Sequence, residues 1–248
     1  MTIPLIPGIN QRTVRIRAVL FDVGGPIDLE TAFEAAIDAD IKAGLEREGF
    51  GVDDETWAAA NRHAVATFAP SLYRSVIWQL TGGDEASATR VYDWVEAQAH
   101  GREHFELRPG IDDVLKTLRA RGIKLGLVAN QPPRVLDLLQ QHGVGDYFAS
   151  NGISALHGFR KPDVRLFLRT CEELGVPPES CIMVGDRIDN DIAPAKLLGM
   201  RTVLIRTGRH REQQPRSWDE RPDREVVDAA GILRAVVELV EEGIDHSC

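Results

Sequence analysis

The chain is short of the residues that mark several classes of protein. Only three cysteines occur in 248 residues, Cys171, Cys181 and Cys248. Their spacing fits no metal-binding run. An odd count in a chain of this length argues for free thiols in a reducing compartment, not for a disulfide framework. Positive charge is in deficit: 29 Lys and Arg against 38 Asp and Glu give a net charge of −9. That leaves no electrostatic footprint for nucleic acid or an acidic membrane surface. No apolar run is long enough to span a bilayer. The first residues, Met1-Thr2-Ile3-Pro4-Leu5-Ile6-Pro7-Gly8, lack a basic stretch followed by a long apolar one, so they do not read as a signal peptide. Internal repeats and low-complexity tracts are absent. The expectation is a cytoplasmic protein with neither a nucleic-acid nor a membrane partner. A content of 43% hydrophobic and 27% charged residues suits a globular fold of one large domain, or a core with a smaller one.

Three apolar segments stand out, and each ends on polar residues. Arg15 to Phe21 stops at Asp22 and turns on Gly24, Gly25 and Pro26. Ile123 to Ala129 stops at Asn130 and Gln131. Cys181 to Gly185 stops at Asp186, with Asp189 and Asp191 just beyond. Near-continuous apolar character is what parallel strands covered on both faces need. In an open α/β sheet, ligands sit in the crevice outside the carboxyl ends of the strands. An acid there points into the crevice, although an aspartate also serves as a turn cap. Before another helix, Gly158-Phe159-Arg160-Lys161-Pro162-Asp163 presents a lysine.

Between the first and second segments, from about Glu30 to Phe105, the pattern is helical throughout. Phe33, Ile37, Ile41 and Leu45 form one apolar stripe. Gly49 and Gly51 end that helix, Asp53-Asp54-Glu55 opens a second, and Ser71–Leu80 and Asp84–Gly101 read as two more. Trp57, Trp78, Trp94, Tyr73 and Tyr92 fall here. They are expected to build the block's own core in preference to lining a specificity pocket. His63, His100 and His104 read as surface or packing histidines. Further on, helices are expected at Ile111–Ala120, from Pro132-Pro133 onward, and at Pro162–Leu174, Asp191–Leu198 and Gly231–Glu242. A strand is expected at Met200–Arg206 and a short edge strand at Glu225–Val227. Thr207 to Arg224 reads as a solvated surface loop. The strand–helix alternation implies a parallel sheet with right-handed crossovers.

Strand-end acids of this kind are able to serve phosphoryl chemistry. A carboxylate can attack phosphorus and form a covalent intermediate. Phosphate repels a bare carboxylate, and a hard divalent cation held by one or two carboxylates removes that repulsion. A lysine contributes a point charge to the same end.

Phe21-Asp22-Val23-Gly24-Gly25, then Lys161-Pro162-Asp163, then Gly185-Asp186 with Asp191, in that order, resemble the haloacid dehalogenase superfamily of hydrolases over about Val14 to Arg206. The resemblance implies an α/β fold, with a Rossmann-like parallel sheet core and an inserted α-helical cap domain. Residues 1–28 and 106–248 would form the core and 29–105 the cap, which closes over the site and selects the substrate. It implies that Asp22 is the nucleophile, carrying an aspartyl-phosphate. Asp22, Gly24 through its backbone carbonyl, Asp186 and, in a supporting place, Asp191 would hold Mg²⁺. Lys161 would offset charge between nucleophile and phosphate. Asn130 and Gln131, with Lys161, would contact a small phosphorylated substrate.

Two positions depart from that family. Gly24 stands where its phosphatases usually carry a second aspartate, the acid that protonates the leaving group. Ala129 stands where a Ser or Thr usually holds the phosphate, and Pro132 and Pro133 remove N–H donors from the turn that follows. Pro26 replaces a common Thr. Asp28 and Glu30 are candidate substitute acids. Three readings remain open: a Mg²⁺-dependent phosphatase of a small phosphate monoester, weak or using another acid; a dehalogenase-type hydrolase; and a catalytically impaired binding or regulatory protein.

Overall fold

The computed structural model describes residues 14–99 and 104–243. Residues 1–13, His100 and Cys248 lie outside them. Six strands make one parallel sheet: β1 (Ala18–Phe21), β2 (Lys124–Ala129), β3 (Ser150–Ile153), β4 (Cys181–Gly185), β5 (Arg201–Ile205) and β6 (Arg224–Val226). Their spatial order is β3-β2-β1-β4-β5-β6, and every neighbouring pair runs parallel.

The central strand shows why its sequence has no polar face. Val19 and Phe21 pack on one side against α5 (Ile111–Ala120) and the closing helix, through Ile111, Leu115, Ile232 and Val236. Ala18 and Leu20 face the other side, against Leu166 and Phe167 of the helix at Val164–Leu174. Side chains alternate across a strand, so two covered faces demand apolar residues at every position. Burying a side chain such as Phe21 completely is worth roughly 1.5–3 kcal/mol.

Between β1 and α5 run four helices, α1 (Thr31–Arg47), α2 (Asp54–Ala66), α3 (Leu72–Leu80) and α4 (Glu85–Ala99). They make two apolar clusters of their own, one around Ile37, Ile41, Leu45, Ile77 and Val91, the other around Ala60, Ala64, Leu72 and Val76. Asp53 caps α2, accepting from the Thr56 N–H at 2.7 Å. Trp57 and Trp94 pack into these clusters, whereas Trp78 is 49% exposed. His63 is exposed and His104 half-buried. The chain enters and leaves the block along paired backbone. The Leu29 N–H donates to Glu106 O at 2.9 Å, and the Arg108 N–H to Ile27 O at 2.7 Å.

The remaining helices are α6 (Val135–Gln141), α7 (Ser154–His157), α8 (Val164–Leu174), α9 (Ala193–Leu197) and α10 (Ala229–Glu242). Helix α6 starts later than the prolines suggest. The carbonyls of Pro132 and Pro133 accept the N–H groups of Val135 and Leu136 in a turn ahead of it. Asp191 does not open a regular helix. It lies in a π-helical turn, Ile188–Ile192, that leads into α9. Strand β3 has no apolar run to announce it. Its Gly152 leaves room for α8, since a Cβ there would stand 2.2 Å from Thr170 Oγ1 and 2.5 Å from Leu127 O. The segment after β5 runs over the surface but is not solvated throughout. Gln213 is buried, takes the Ile188 N–H at 2.7 Å and donates to Asp189 at 3.1 Å. Cys171 and Cys181 are buried free thiols with sulfurs 3.7 Å apart. Among the described residues, no helix is long and apolar enough to cross a membrane.

Candidate active site

The strand order reverses between β1 and β4, which opens a crevice at their carboxyl ends. Phe21, the last residue of β1, pairs with Val184, and β4 runs one residue further to Gly185. Asp22 is the first residue past β1 and Asp186 the first past β4. The Asp22 N–H donates to Val184 O at 2.9 Å, and its Oδ1 accepts the Val23 N–H at 2.7 Å. The Asp22 side chain is 13% exposed, enough to present one oxygen to a ligand.

Lys161 reaches this point from the segment between α7 and α8, and Asn130 places it. The Asn130 amide donates to Lys161 O at 3.0 Å and accepts the Lys161 N–H at 2.8 Å. Lys161 Nζ then lies 2.7 Å from Asp22 Oδ2 and 2.6 Å from Asp191 Oδ1. The other Asp191 oxygen accepts the Arg187 N–H at 3.0 Å. Gly185 permits this, because a Cβ on it would come within 2.3 Å of Asp191 Cγ. One carboxylate oxygen each from Asp22, Asp186 and Asp191 lie within 4.8 Å of one another.

Burial raises the Asp22 carboxyl above its usual range, the Asp186 charge adds to this, and Lys161 opposes it. Burial likewise pushes Asp191 up to about 6 against the pull of Lys161. For Lys161 burial works against the charge, but Asp191 and Asp22 outweigh it and hold the ammonium on. Glu30, just past the turn, is raised well above an ordinary glutamate by burial and then by the Asp186 and Asp22 charges.

A cleft of about 1680 Å³ lies over these groups. Asp22, Gly24, Glu30, Asn130, Gln131, Lys161 and Asp186 line its floor, and Tyr73, Arg74 and Tyr92 come from the helical block. The structure therefore brings the expected site residues to one place, with two differences of detail. The Asn130 side chain is spent on the Lys161 backbone, and both Asp191 oxygens are taken by protein donors. Ala129 is fully buried and offers no hydroxyl.

The sequence reading missed the loop after β5. The Arg209 guanidinium donates to Asn61 Oδ1 at 3.0 Å, to Glu34 O at 2.9 Å and to Asp38, and lies 5.2 Å from the centre of the Tyr73 ring. Arg216 lies 4.1 Å from the Phe68 ring, and His210 Nδ1 stands 3.8 Å from Asp186 Oδ2. No period marks such residues in the sequence, because the path of the loop decides which of its side chains reach the cleft.

The clustered donors of Asp22, Asp186 and Asp191 are all carboxylate oxygens, the set a hard divalent cation takes and a soft metal does not. Three clustered acids with a single ammonium between them also leave negative charge uncompensated.

Comparison with known proteins agrees with this geometry. A family model described as haloacid dehalogenase-like hydrolase matches residues 16–199. A glyceraldehyde 3-phosphate phosphatase of Methanopyrus kandleri is 31% identical over 242 residues, covering 92% of this chain and all of the relative. A phosphoserine phosphatase of Thermus thermophilus is 30% identical over 219 residues, covering 83% of this chain and 87% of the relative. Among solved structures, a predicted phosphoglycolate phosphatase from Haemophilus somnus superposes with a TM-score of 0.67 at 20% identity, covering 92% of this chain and all of that one.

Proposed function

The chain belongs to the haloacid dehalogenase-like hydrolases, and we propose that it is a Mg²⁺-dependent phosphatase of a small phosphate monoester, acting through an aspartyl-phosphate on Asp22. The observation that carries this is the pairing of Asp22 with a buried lysine at 2.7 Å inside a three-carboxylate cluster, at the mouth of a cleft. The relatives named as phosphatases support the reaction class.

The residues fit a hard cation, and Asp22, Asp186 and the Gly24 carbonyl would hold it, with Asp191 behind them. Bound there, Mg²⁺ would neutralise charge on the phosphoryl group. Lys161 has two tasks. It fixes the Asp22 carboxylate in one orientation, and it places a positive charge where phosphate oxygens approach. Asp22 Oδ1 is held by the Val23 N–H, so the nucleophile is oriented from both sides. Preorganisation of this kind lowers the barrier without reorganisation at the moment of reaction.

We read residues 29–105 as a cap on a core of 1–28 and 106–248. The separate apolar clusters of α1–α4 support this, as do the paired crossings at Ile27–Leu29 and Glu106–Arg108. On that reading Tyr73, Arg74 and Tyr92 would meet the part of the substrate beyond its phosphate.

A second reading, a binding protein that keeps the fold without turnover, is favoured by one observation. With Ala129 buried and Asn130 turned onto Lys161, the second strand end gives a phosphate little to hold. Hydrolysis of an aryl phosphate with and without Mg²⁺, beside Asp22→Asn, separates the two. Mg²⁺-dependent turnover lost in Asp22→Asn establishes the phosphatase. Its absence in the intact protein leaves the binding reading.

A further inference from the structure

Hydrolysis of an alkyl phosphate needs a proton donor, because an alkoxide is a poor leaving group. We infer that Glu30 is that donor, its carboxyl standing in the space above Gly24 beside Asp22. This rests on the phosphatase reading.

Among the other acids near the nucleophile, Asp186 is assigned to the cation and the rest are committed. Asp191 is bonded to Lys161 and to the Arg187 N–H. Asp189 is held by Arg187 and Gln213, Glu34 by Arg209, and Glu220 by Arg216. Asp28, the nearer candidate in sequence, is a positioning residue. Its Oδ1 accepts the N–H of Glu30 at 3.1 Å and of Glu106 at 2.9 Å, and it does not line the cleft. Glu30 does line the cleft, and among the described residues its carboxyl has no hydrogen-bond or ion-pair partner.

Two features of the backbone are otherwise unexplained. Glu30 takes a left-handed conformation, φ 57°, at the residue before α1, a place where its side chain could cap the helix and does not. Non-glycine residues adopt that conformation at a cost, and such residues cluster at functional sites. Gly24 has no side chain where one would collide with this carboxyl. A Cβ there would lie 2.6 Å from both Glu30 Cδ and Oε1. Residue 24 and residue 30 thus share one space, and the chain fills it from residue 30.

The chemistry closes as follows. An Asp22 oxygen attacks phosphorus, the ester P–O bond breaks, and the departing oxygen takes the Glu30 proton to leave as an alcohol. The Glu30 carboxylate then takes a proton from a water as that water attacks the aspartyl-phosphate. The P–O bond to Asp22 breaks, inorganic phosphate leaves, and both carboxyls return to their starting states.

The test measures turnover of an aryl phosphate, with a good leaving group, and of an alkyl phosphate, with a poor one. The proteins compared are wild type, Asp22→Asn, Glu30→Gln, Glu30→Ala, His210→Gln and the double variant Gly24→Asp/Glu30→Ala. A general acid–base catalyst contributes about 10²–10⁴-fold. Glu30→Gln should lose at least 100-fold on the alkyl ester. On the aryl ester it should release one equivalent of the phenol in a burst and then stall at dephosphorylation. The double variant should recover at least tenfold over Glu30→Ala alone, because a carboxyl is returned to the same space from the other side. Equal, small losses on both esters would overturn the assignment. So would a leaving-group-dependent loss in His210→Gln instead. A wild type that turns over neither ester, with Asp22→Asn indistinguishable from it, would sink the phosphatase reading itself.

Discussion

Removing the Lys161 ammonium while keeping its bulk, as in Lys161→Met, strips two buried carboxylates of their shared counter-charge. Nζ is 2.7 Å from Asp22 and 2.6 Å from Asp191, and Lys161 is only 3% exposed. At an effective dielectric of about 20, each contact is worth about 6 kcal/mol before desolvation is subtracted. Desolvation takes most of that back. Breaking a buried pair by deleting one partner costs about 3–5 kcal/mol. For a chain of this length that corresponds to a fall in Tm of roughly 6–20 °C. The pH dependence has a definite sign. Burial already holds Asp191 up to about 6 and Asp22 above its usual value, and loss of the lysine raises both further. A carboxyl raised in the folded state favours folding at low pH and loses that advantage as pH rises through its folded value. The gap between variant and wild type is therefore widest at pH 8 and narrows toward pH 5. Thermal melts in chelator at pH 5, 6, 7 and 8 measure it, and a second series in Mg²⁺ should recover more stability in the variant than in wild type. A variant melting within about 2 °C of wild type at pH 8, less than 1 kcal/mol for a chain of this length, would refute the reasoning. So would a gap that ignores pH.

Three further outcomes are expected. Glu30→Gln should raise Tm in chelator at neutral pH, since burial keeps this carboxyl protonated well above the ordinary glutamate value, and the stability that gives is complete only below the ordinary value and is lost as pH climbs through the raised one; melts at pH 4 should show no difference. Arg209→Ala removes contacts to Asn61, Glu34 and Asp38, and at about 1.5–3 kcal/mol for hydrogen bonds to a charged group denaturant titration should show a loss of that order. Gly152→Ala forces a methyl against Thr170 and a backbone oxygen, and denaturant titration should show a loss of about 1–3 kcal/mol with no change in metal affinity.

Much of this molecule was legible in its sequence, for identifiable reasons. Strands β1, β2 and β4 are covered on both faces, so their apolar runs announced them, and the polar residues that end them, acids at β1 and β4, marked the crevice. Strand β3 escaped notice because it reads Ser-Asn-Gly-Ile and is selected by the absence of a side chain at Gly152, not by apolar content. Lys161 could be singled out, but its clamp could not, since Asn130 meets it only through the fold. Arg209, His210 and Gln213 were lost in a charged stretch because tertiary path, not periodicity, turns them inward. Glu30 was visible as one of two acids past the turn. Only the hydrogen bonds of Asp28 and the open space at Gly24 separate the two.

The paired crossings at Ile27–Leu29 and Glu106–Arg108 have a consequence for how such a protein changes over time. A stretch of chain whose two ends lie side by side can be exchanged, lengthened or trimmed without reregistering the sheet beneath it. The aspartates and the lysine belong to the sheet's rim, and the tyrosines that face them belong to the exchangeable piece. Glu30 stands at the seam, on the first residue past the crossing. On the reading of residues 29–105 as a cap, swapping that insert would retune which molecules are admitted, and it would carry the proposed proton donor with it unless the cut were made after residue 30. Diversification here is modular, with a join whose position decides whether reactivity travels with selectivity.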